Sequence, residues 1–381
     1  MRTILVAGAR PNFMKVAPVL WALEGRGIEV LLVHSGQHYD AAMSDVFFDD
    51  LGIRTPDLNL DVGSGSHASQ TARIMERFEA VVDDYRPDVV LVPGDVNSTV
   101  ACGLVAAKAG AHLAHIEAGL RSRDWDMPEE INRVVTDRLS DFLFAPSADA
   151  VDNLGAEGFR KDQIFLVGNV MVDTLLKNLE RARERPILRE LGVQDGAFGL
   201  VTMHRPSNVD APDVLAGLVR ALNEISTDLP LVFPIHPRTR QRVDVGALSD
   251  SITLAEPVGY LDFVALQAGA RLVLTDSGGV QEETTMLGVP CLTMRENTER
   301  PITVEQGSNQ VVGTDPSKIV SVARTVLESE QAYPKPDLWD GDASGRIVDA
   351  LVADPLETRL RPTAAGGPMD GSSLGTVGRR S

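Results

Sequence analysis

The chain has 381 residues, 43% apolar and 24% charged, with a formal net charge of −18. One hydrophobic core rarely grows past about 250–300 residues, so the length argues for two domains, and the acidic surplus argues against nucleic acid or an anionic membrane as partner. No apolar run approaches the ~20 residues that span a bilayer, and Cys102 and Cys291 stand far apart in apolar contexts, which argues against a disulfide framework and for a reducing cytoplasm.

From the N-terminus, Ile4 to Ala9 is too short for a signal-peptide core and reads as a buried first strand. Strand-like runs follow at Val30–His34, Val89–Pro93, His112–Ile116 and Phe142–Ala145, separated by helical stretches such as Gln70–Asp84 and Val96–Ala109. A further run, Ile164–Val167, precedes a boundary near Gly168-Asn169. The scheme then repeats with Leu200–Met203, Leu231–Ile235, Leu272–Thr275 and Cys291–Met294. Continuous Val/Leu/Ile runs predict parallel strands covered on both faces, and their alternation with helices predicts doubly wound α/β sheets. Residues 1–168 and 169–338 are the expected domains. The tail, residues 355–381, is expected to be disordered, because residues 362–381 are rich in Gly, Ser, Thr and Pro and cannot bury enough apolar surface to offset their ordering entropy.

Open α/β sheets bind ligands beyond the carboxyl ends of their strands, so the residues at those ends are the candidates. Gly8-Ala9-Arg10-Pro11-Asn12-Phe13-Met14-Lys15 follows the first strand and lacks the GxGxxG dinucleotide pattern. Arg10 and Lys15 project from the helix start there. Pro93-Gly94-Asp95 ends another strand, with Asp95 either capping the next helix or facing the cleft. His115-Ile116-Glu117-Ala118-Gly119 puts Glu117 on the same edge. Pro128 opens a helix whose inner face is expected to be Ile131, Val134, Val135 and Leu139. Glu129 and Glu130 fall in its first turn, where they complement the helix dipole, or else Glu129 joins Asp95 and Glu117. Carboxylates that share a cleft repel, which raises some of their pKa values and suits acid–base work.

In the second half, Met203-His204-Arg205 and His236-Pro237-Arg238 each follow a strand and form a basic edge suited to phosphate. Leu274-Thr275-Asp276-Ser277-Gly278-Gly279-Val280-Gln281-Glu282-Glu283 reads as strand, glycine turn and helix. Backbone N–H groups of Ser277, Gly278 and Gly279 at a helix N-terminus make an anion site, the alternative being a plain cap by Asp276 or Ser277. Glu283, one turn on, is placed to accept from ribose hydroxyls.

Together with Leu120-Arg121, Asn132-Arg133 and Thr298-Glu299-Arg300-Pro301, these motifs run in one order over about residues 1–354. They resemble the non-hydrolysing UDP-N-acetylglucosamine 2-epimerase family. The resemblance implies two Rossmann-like domains around a deep cleft, akin to the GT-B glycosyltransferases. It also implies a C-terminal helix at 339–354 returning to the first domain, and a homodimer. The implied chemistry is C2 epimerisation of UDP-N-acetylglucosamine to UDP-N-acetylmannosamine, in polysaccharide biosynthesis. UDP is eliminated anti to give 2-acetamidoglucal and then re-added, with no cofactor and no metal. Carried over by matching motif, Asp95, Glu117 and Glu129 are acid–base candidates and His204 stands by the leaving diphosphate. Arg10, Lys15, Arg133, His236, Phe263, Ser277, Gly278, Gly279, Glu283 and Arg300 hold the substrate, with Phe263 by the uracil. Pro206-Ser207-Asn208 and Val258-Gly259 depart from the commonest family wording, and Gly119-Leu120-Arg121-Ser122 with Met127-Pro128 also occurs in relatives acting on UDP-diacetamido-glucuronic acid. That sugar, and a retaining glycosyltransferase of the same fold, are the alternatives.

Overall fold

The computed structural model describes residues 1–8, 12–36, 50–329 and 331–353. Arg10 and the expected disordered tail lie outside the described residues. The first half forms a seven-stranded sheet from β1 (Arg2–Ala7), β2 (Glu29–His34), β3 (Leu58–Asn59), β4 (Val89–Pro93), β5 (His112–Ile116), β6 (Phe142–Ala145) and β7 (Ile164–Leu166), in the order β3-β2-β1-β4-β5-β6-β7. The second half forms a six-stranded sheet from β8 (Gly199–Thr202), β9 (Leu231–Pro234), β10 (Ile252–Ala255), β11 (Leu272–Thr275), β12 (Cys291–Thr293) and β13 (Asn309–Val311), in the order β10-β9-β8-β11-β12-β13. Every pairing is parallel.

The central strands of both sheets are buried on both faces, which is why they read as unbroken apolar runs. All residues of β4 and β6 are buried. One face of the first sheet packs Ile4, Val6 and Val90 against Phe78 and Val105. The opposite face joins a core running from Leu5 and Phe13 through Val172 and Leu175 to Tyr260 and Val264. The helix Val170–Arg183 is the centre of that core, packing on Phe13–Gly25 of the first half and on Tyr260–Gly269 and Gly278–Leu287 of the second.

The chain then returns to the first half. Trp339 Nε1 donates to the Pro146 carbonyl at 2.9 Å. The helix Ala343–Ala353 packs on Phe13–Gly25. Its first amides, on Ala343 and Ser344, donate to the buried carboxylate of Asp173 at 3.1 and 2.7 Å, a cap supplied from another helix. Among the described residues no helix is long and apolar enough to cross a membrane, and Cys102 and Cys291 are buried and unpaired.

The expected inner face of the helix Pro128–Leu139 is wrong. Its buried residues are Glu130, Arg133, Thr136 and Asp137, while Ile131 is 47% exposed. The amphipathic pattern assumed that the core side must be apolar. Here the inward face carries ion pairs instead.

Candidate active site

In each sheet the strand order reverses once, between β1 and β4 and between β8 and β11, and ligand crevices open at such points. Register fixes these pairs, with Thr3 opposite Val89 and Gly199 opposite Leu272. At the first switch point, Asn12 Nδ2 donates to the Pro93 carbonyl at 2.9 Å, tying the turn after β1 to the end of β4. Gly94 follows at φ +68°, a conformation that favours glycine, and a Cβ there would lie 2.9 Å from Lys15 Nζ and displace the lysine tip. Lys15 pairs with Glu117, which is buried and held at φ +71°. A non-glycine residue in that region stores strain, as functional sites often do.

Asp95 does not cap the helix that follows; that cap position is Val96, which contributes no side-chain bond. Asp95 instead pairs with Arg133, whose other arm pairs with Glu130. Burial alone would raise the Asp95 pKa, but Arg133 and Lys15 hold it below the usual carboxylate range. Glu130 reaches back to the loop after β5, accepting from Ser122 N and Oγ and from Arg123 N, each at 2.9 Å.

At the second switch point, Thr202 and Thr275 hydroxyls bond at 2.6 Å across β8 and β11. Asp276, fully buried, accepts from the backbone N–H of His204 and of Arg205 at 2.9 Å each, and its Oδ1 lies 2.9 Å from His204 Nδ1. It is therefore not a cap for the helix beginning at Gly278 but the group that aims His204, a side chain still 47% exposed. Ser277 precedes that helix and makes no side-chain cap. The N–H groups of the first helical turn have no partner within the helix, which leaves them for an anion.

Beside this turn runs a belt of charge. Arg300 Nε lies 2.7 Å from Glu282 and Nη1 donates to Glu299 at 2.6 Å. Arg295 Nη2 stands 2.9 Å from Glu299 and Arg205 Nη2 3.8 Å. Burial opposes ionisation of Glu299, but these arginines hold its pKa far below normal. Gly278 allows the belt to close, since a Cβ there would lie 2.5 Å from Arg300 Nη1.

The two halves meet electrostatically. Arg300 of the second half helps to lower the Asp95 pKa. Burial raises Glu282 to about 7, with Glu117 adding to the rise while Arg300 and Lys15 oppose it. The site thus holds an ionised carboxylate and a readily protonated one beside a phosphate-suited turn, the split that acid–base chemistry at neutral pH requires. A cavity of about 580 Å³ adjoins it, with Glu129, half-buried, on one wall and Arg205 and Arg295 on the other.

The remaining expected residues lie around this centre. Glu283 is buried and already accepts from Gln267 Nε2 at 2.6 Å and the Tyr260 hydroxyl at 3.2 Å, and burial lifts its pKa to about 7. Phe263 is half-buried on the same helix as Tyr260. His236 is exposed, its Nδ1 accepting from Arg238 N at 3.3 Å, while Arg238 pairs with Asp210, so that end of the basic edge is partly neutralised. Asn12, Glu130, Asp276, Glu282 and Glu299 were given no role in the site by the sequence. All five sit within the sequence motifs, but only their partners in the folded chain reveal their part. Among the described residues no group of three or more His, Cys, Asp or Glu side chains is arranged to hold a metal ion.

The family model described as UDP-N-acetylglucosamine 2-epimerase matches residues 22–352. The chain belongs to the UDP-N-acetylglucosamine 2-epimerase family. It is 42% identical over 363 residues to the UDP-N-acetylglucosamine 2-epimerase of Methanocaldococcus jannaschii, covering 92% of this chain and 99% of that one. It is 44% identical over 356 residues to the UDP-2,3-diacetamido-2,3-dideoxy-D-glucuronate 2-epimerase of Pseudomonas aeruginosa, again covering 92% and 99%. The crystal structure of the M. jannaschii enzyme with UDP-GlcNAc and UDP matches with a TM-score of 0.87 at 41% identity, over 93% of this chain and all of that one.

Proposed function

We propose that the protein interconverts UDP-N-acetylglucosamine and UDP-N-acetylmannosamine. The observation that carries the reading is the meeting of two unlike halves across one crevice: the Lys15–Glu117 and Arg133–Asp95 pairs face a glycine turn flanked by His204 and Arg300. In an anti elimination the proton at C2 and the diphosphate at C1 depart from opposite faces of the sugar. A carboxylate of the first half takes the proton. The C2–H electron pair becomes the C1–C2 double bond, and the C1–O pair leaves with UDP. The turn at Ser277–Gly279 and His204, aimed by Asp276, stabilise the departing charge. Re-addition reverses these steps, with a second carboxyl delivering the proton to the other face of C2. Asp95, Glu117 and Glu129 are the candidates for these roles. Lys15 holds Glu117 and Arg133 holds Asp95, Arg300 adds its charge from the other half, and Phe263, Glu283 and His236 line the approach of the nucleoside diphosphate. We extend the reading to a cytoplasmic homodimer serving polysaccharide biosynthesis; the two buried thiols suit a reducing compartment.

A second substrate has its own support. Arg205 Nε and Arg295 Nη1 are buried donors with no hydrogen-bond acceptor among the described residues, and both arginines line the 580 Å³ cavity. A uronate carboxylate would satisfy such donors, as in a UDP-diacetamido-glucuronate. Each nucleotide sugar is incubated with the protein in deuterated water, without an acceptor. Epimerisation with deuterium at C2 is the expected result, and the sugar with the higher kcat/KM is the substrate. Deuterium-free, unchanged sugars would remove the epimerase reading, and transfer to an added acceptor would replace it with a glycosyltransferase.

A further inference from the structure

Beneath the first-half carboxylates lies a pair with no exposure at all. His115 stands on β5 two residues before Glu117, and Asp137 on the last turn of the helix Pro128–Leu139. His115 Nδ1 lies 2.5 Å from Asp137 Oδ1, and Nε2 lies 2.8 Å from the Gly94 carbonyl oxygen. Both partners are acceptors. A neutral imidazole has one N–H and one lone pair, so in this setting it would press a lone pair against either the carboxylate or the carbonyl. With Asp137 ionised, the doubly protonated ring is the form that satisfies both contacts.

The counter-charge is at hand. Burial opposes the Asp137 anion, but His115 and Arg121 hold its pKa low. Arg121 Nη1 lies 2.7 Å from its far oxygen, which also accepts from Gly119 N at 3.1 Å. Asp137, from the helix, touches the ring directly and Arg121, from the loop after β5, stands behind it on the far carboxylate oxygen, while the β4 turn presents the Gly94 carbonyl.

That carbonyl belongs to the same peptide plane as the Asp95 N–H. The other side of Gly94 is fixed as well, its N–H donating to the Ile116 carbonyl at 3.0 Å. Asn132 Nδ2 donates to the Asp95 carbonyl at 2.9 Å. His115 therefore sets the plane from which Asp95 departs, two residues from Glu117 on its own strand.

Resting on the epimerase reading, we propose that His115 is a positioning residue for that reaction: a buried imidazolium whose hydrogen bond to the Gly94 carbonyl fixes Asp95 relative to Glu117. Two substitutions separate this from a general structural role. His115→Gln places an amide N–H near the position of Nε2 and keeps the bond to Gly94. His115→Asn places one near Nδ1, keeping Asp137 and losing Gly94. The expected result is that His115→Asn lowers kcat by about 10–100-fold with KM nearly unchanged, the range for losing a group that orients a functional residue. His115→Gln should recover most of that loss. Equal losses in the two variants, or wild-type kcat in His115→Asn, would overturn the proposal.

A second measurement does not depend on turnover or on the variants folding. In the spectrum of the wild-type protein with ¹⁵N-labelled histidine, taken in the buffer of the activity assay, one of the seven imidazoles should show both nitrogens protonated, as the contacts to Asp137 and Gly94 require. A spectrum showing only neutral, singly protonated rings in that buffer would also sink the idea. An inactive wild-type protein that still shows the doubly protonated ring would count against the epimerase reading and leave the buried imidazolium standing.

Discussion

The two halves of the crevice hold their charges by different means. In the first, acids are paired side chain to side chain, Glu117 with Lys15 and Asp95 with Arg133, and the backbone is bent to bring them together, with Gly94 and Glu117 both at positive φ. In the second, Asp276 accepts from the backbone N–H groups of His204 and Arg205 and aims the His204 side chain, and the first N–H groups of the helix Gly278–Leu287 have no partner within it. A carboxyl can exchange a proton and so suits proton transfer; a backbone turn cannot be titrated and suits a permanently charged diphosphate.

The sharpest way to break that division is to neutralise a first-half acid. Asp95→Asn or Glu117→Gln should cut turnover at least ~10²-fold, the scale for loss of a general acid or base, while UDP binding by calorimetry stays close to wild type. Loss of UDP binding in both would mean that the acids serve the nucleotide and that the two halves do not divide the work.

A second test probes the belt in the other half. Arg300→Met leaves Glu282 and Glu299 without their main partner, and breaking a buried pair costs about 3–5 kcal/mol. Denaturant unfolding should show that loss even without ligand. Unchanged stability would show that the belt is solvated and contributes little.

Much of this arrangement is legible in the sequence. The parallel strands announce themselves because both their faces are buried, and the glycine turns at Gly94 and Ser277-Gly278-Gly279 are local features of a few residues. What escapes is pairing across long separations. Asp276 meets the His204 N–H across 72 residues, and Lys15 meets Glu117 across 102. The helix Pro128–Leu139 misled the reading for the same reason. Its charged inner face is tolerable only because Asp95, Ser122, Arg121 and His115 supply partners from elsewhere, and no helical periodicity reports where those partners lie.

The carboxyls Glu282 and Glu283 supply a test with a smaller effect. Burial lifts both from an ordinary 4.5 to about 7. A carboxyl with a raised folded-state pKa binds its proton more tightly when folded, so its stabilising contribution is complete below the unfolded value and is lost as pH climbs through the folded one. Asp95, Asp137, Asp276 and Glu299 are shifted the other way and lose their contribution only in acid, below about pH 4. Thermal stability without ligand should therefore decline between about pH 5 and about pH 8. Glu283→Gln should flatten part of that slope, since an amide keeps the shape without the charge. A profile that rises with pH across this window would contradict the burial of both groups.

The smallest effect is expected at Ser277, and its smallness is informative. The serine hydroxyl makes no cap bond to the helix it precedes, and the Ser277 backbone N–H is already engaged, donating to Thr275 Oγ1 at 3.0 Å. If backbone groups grip the diphosphate, the donors are those of Gly278 and Gly279, which an exchange at Ser277 leaves in place. Ser277→Ala should therefore change UDP affinity by less than about tenfold, and melting should not show the ~1 kcal/mol loss typical of a removed N-cap. Gly278→Ala, one residue on, drives a methyl group into Arg300 and Glu299 and should weaken UDP binding more than the serine exchange does. A reversal of that order would assign the grip to the serine side chain and erase the contrast between the two halves.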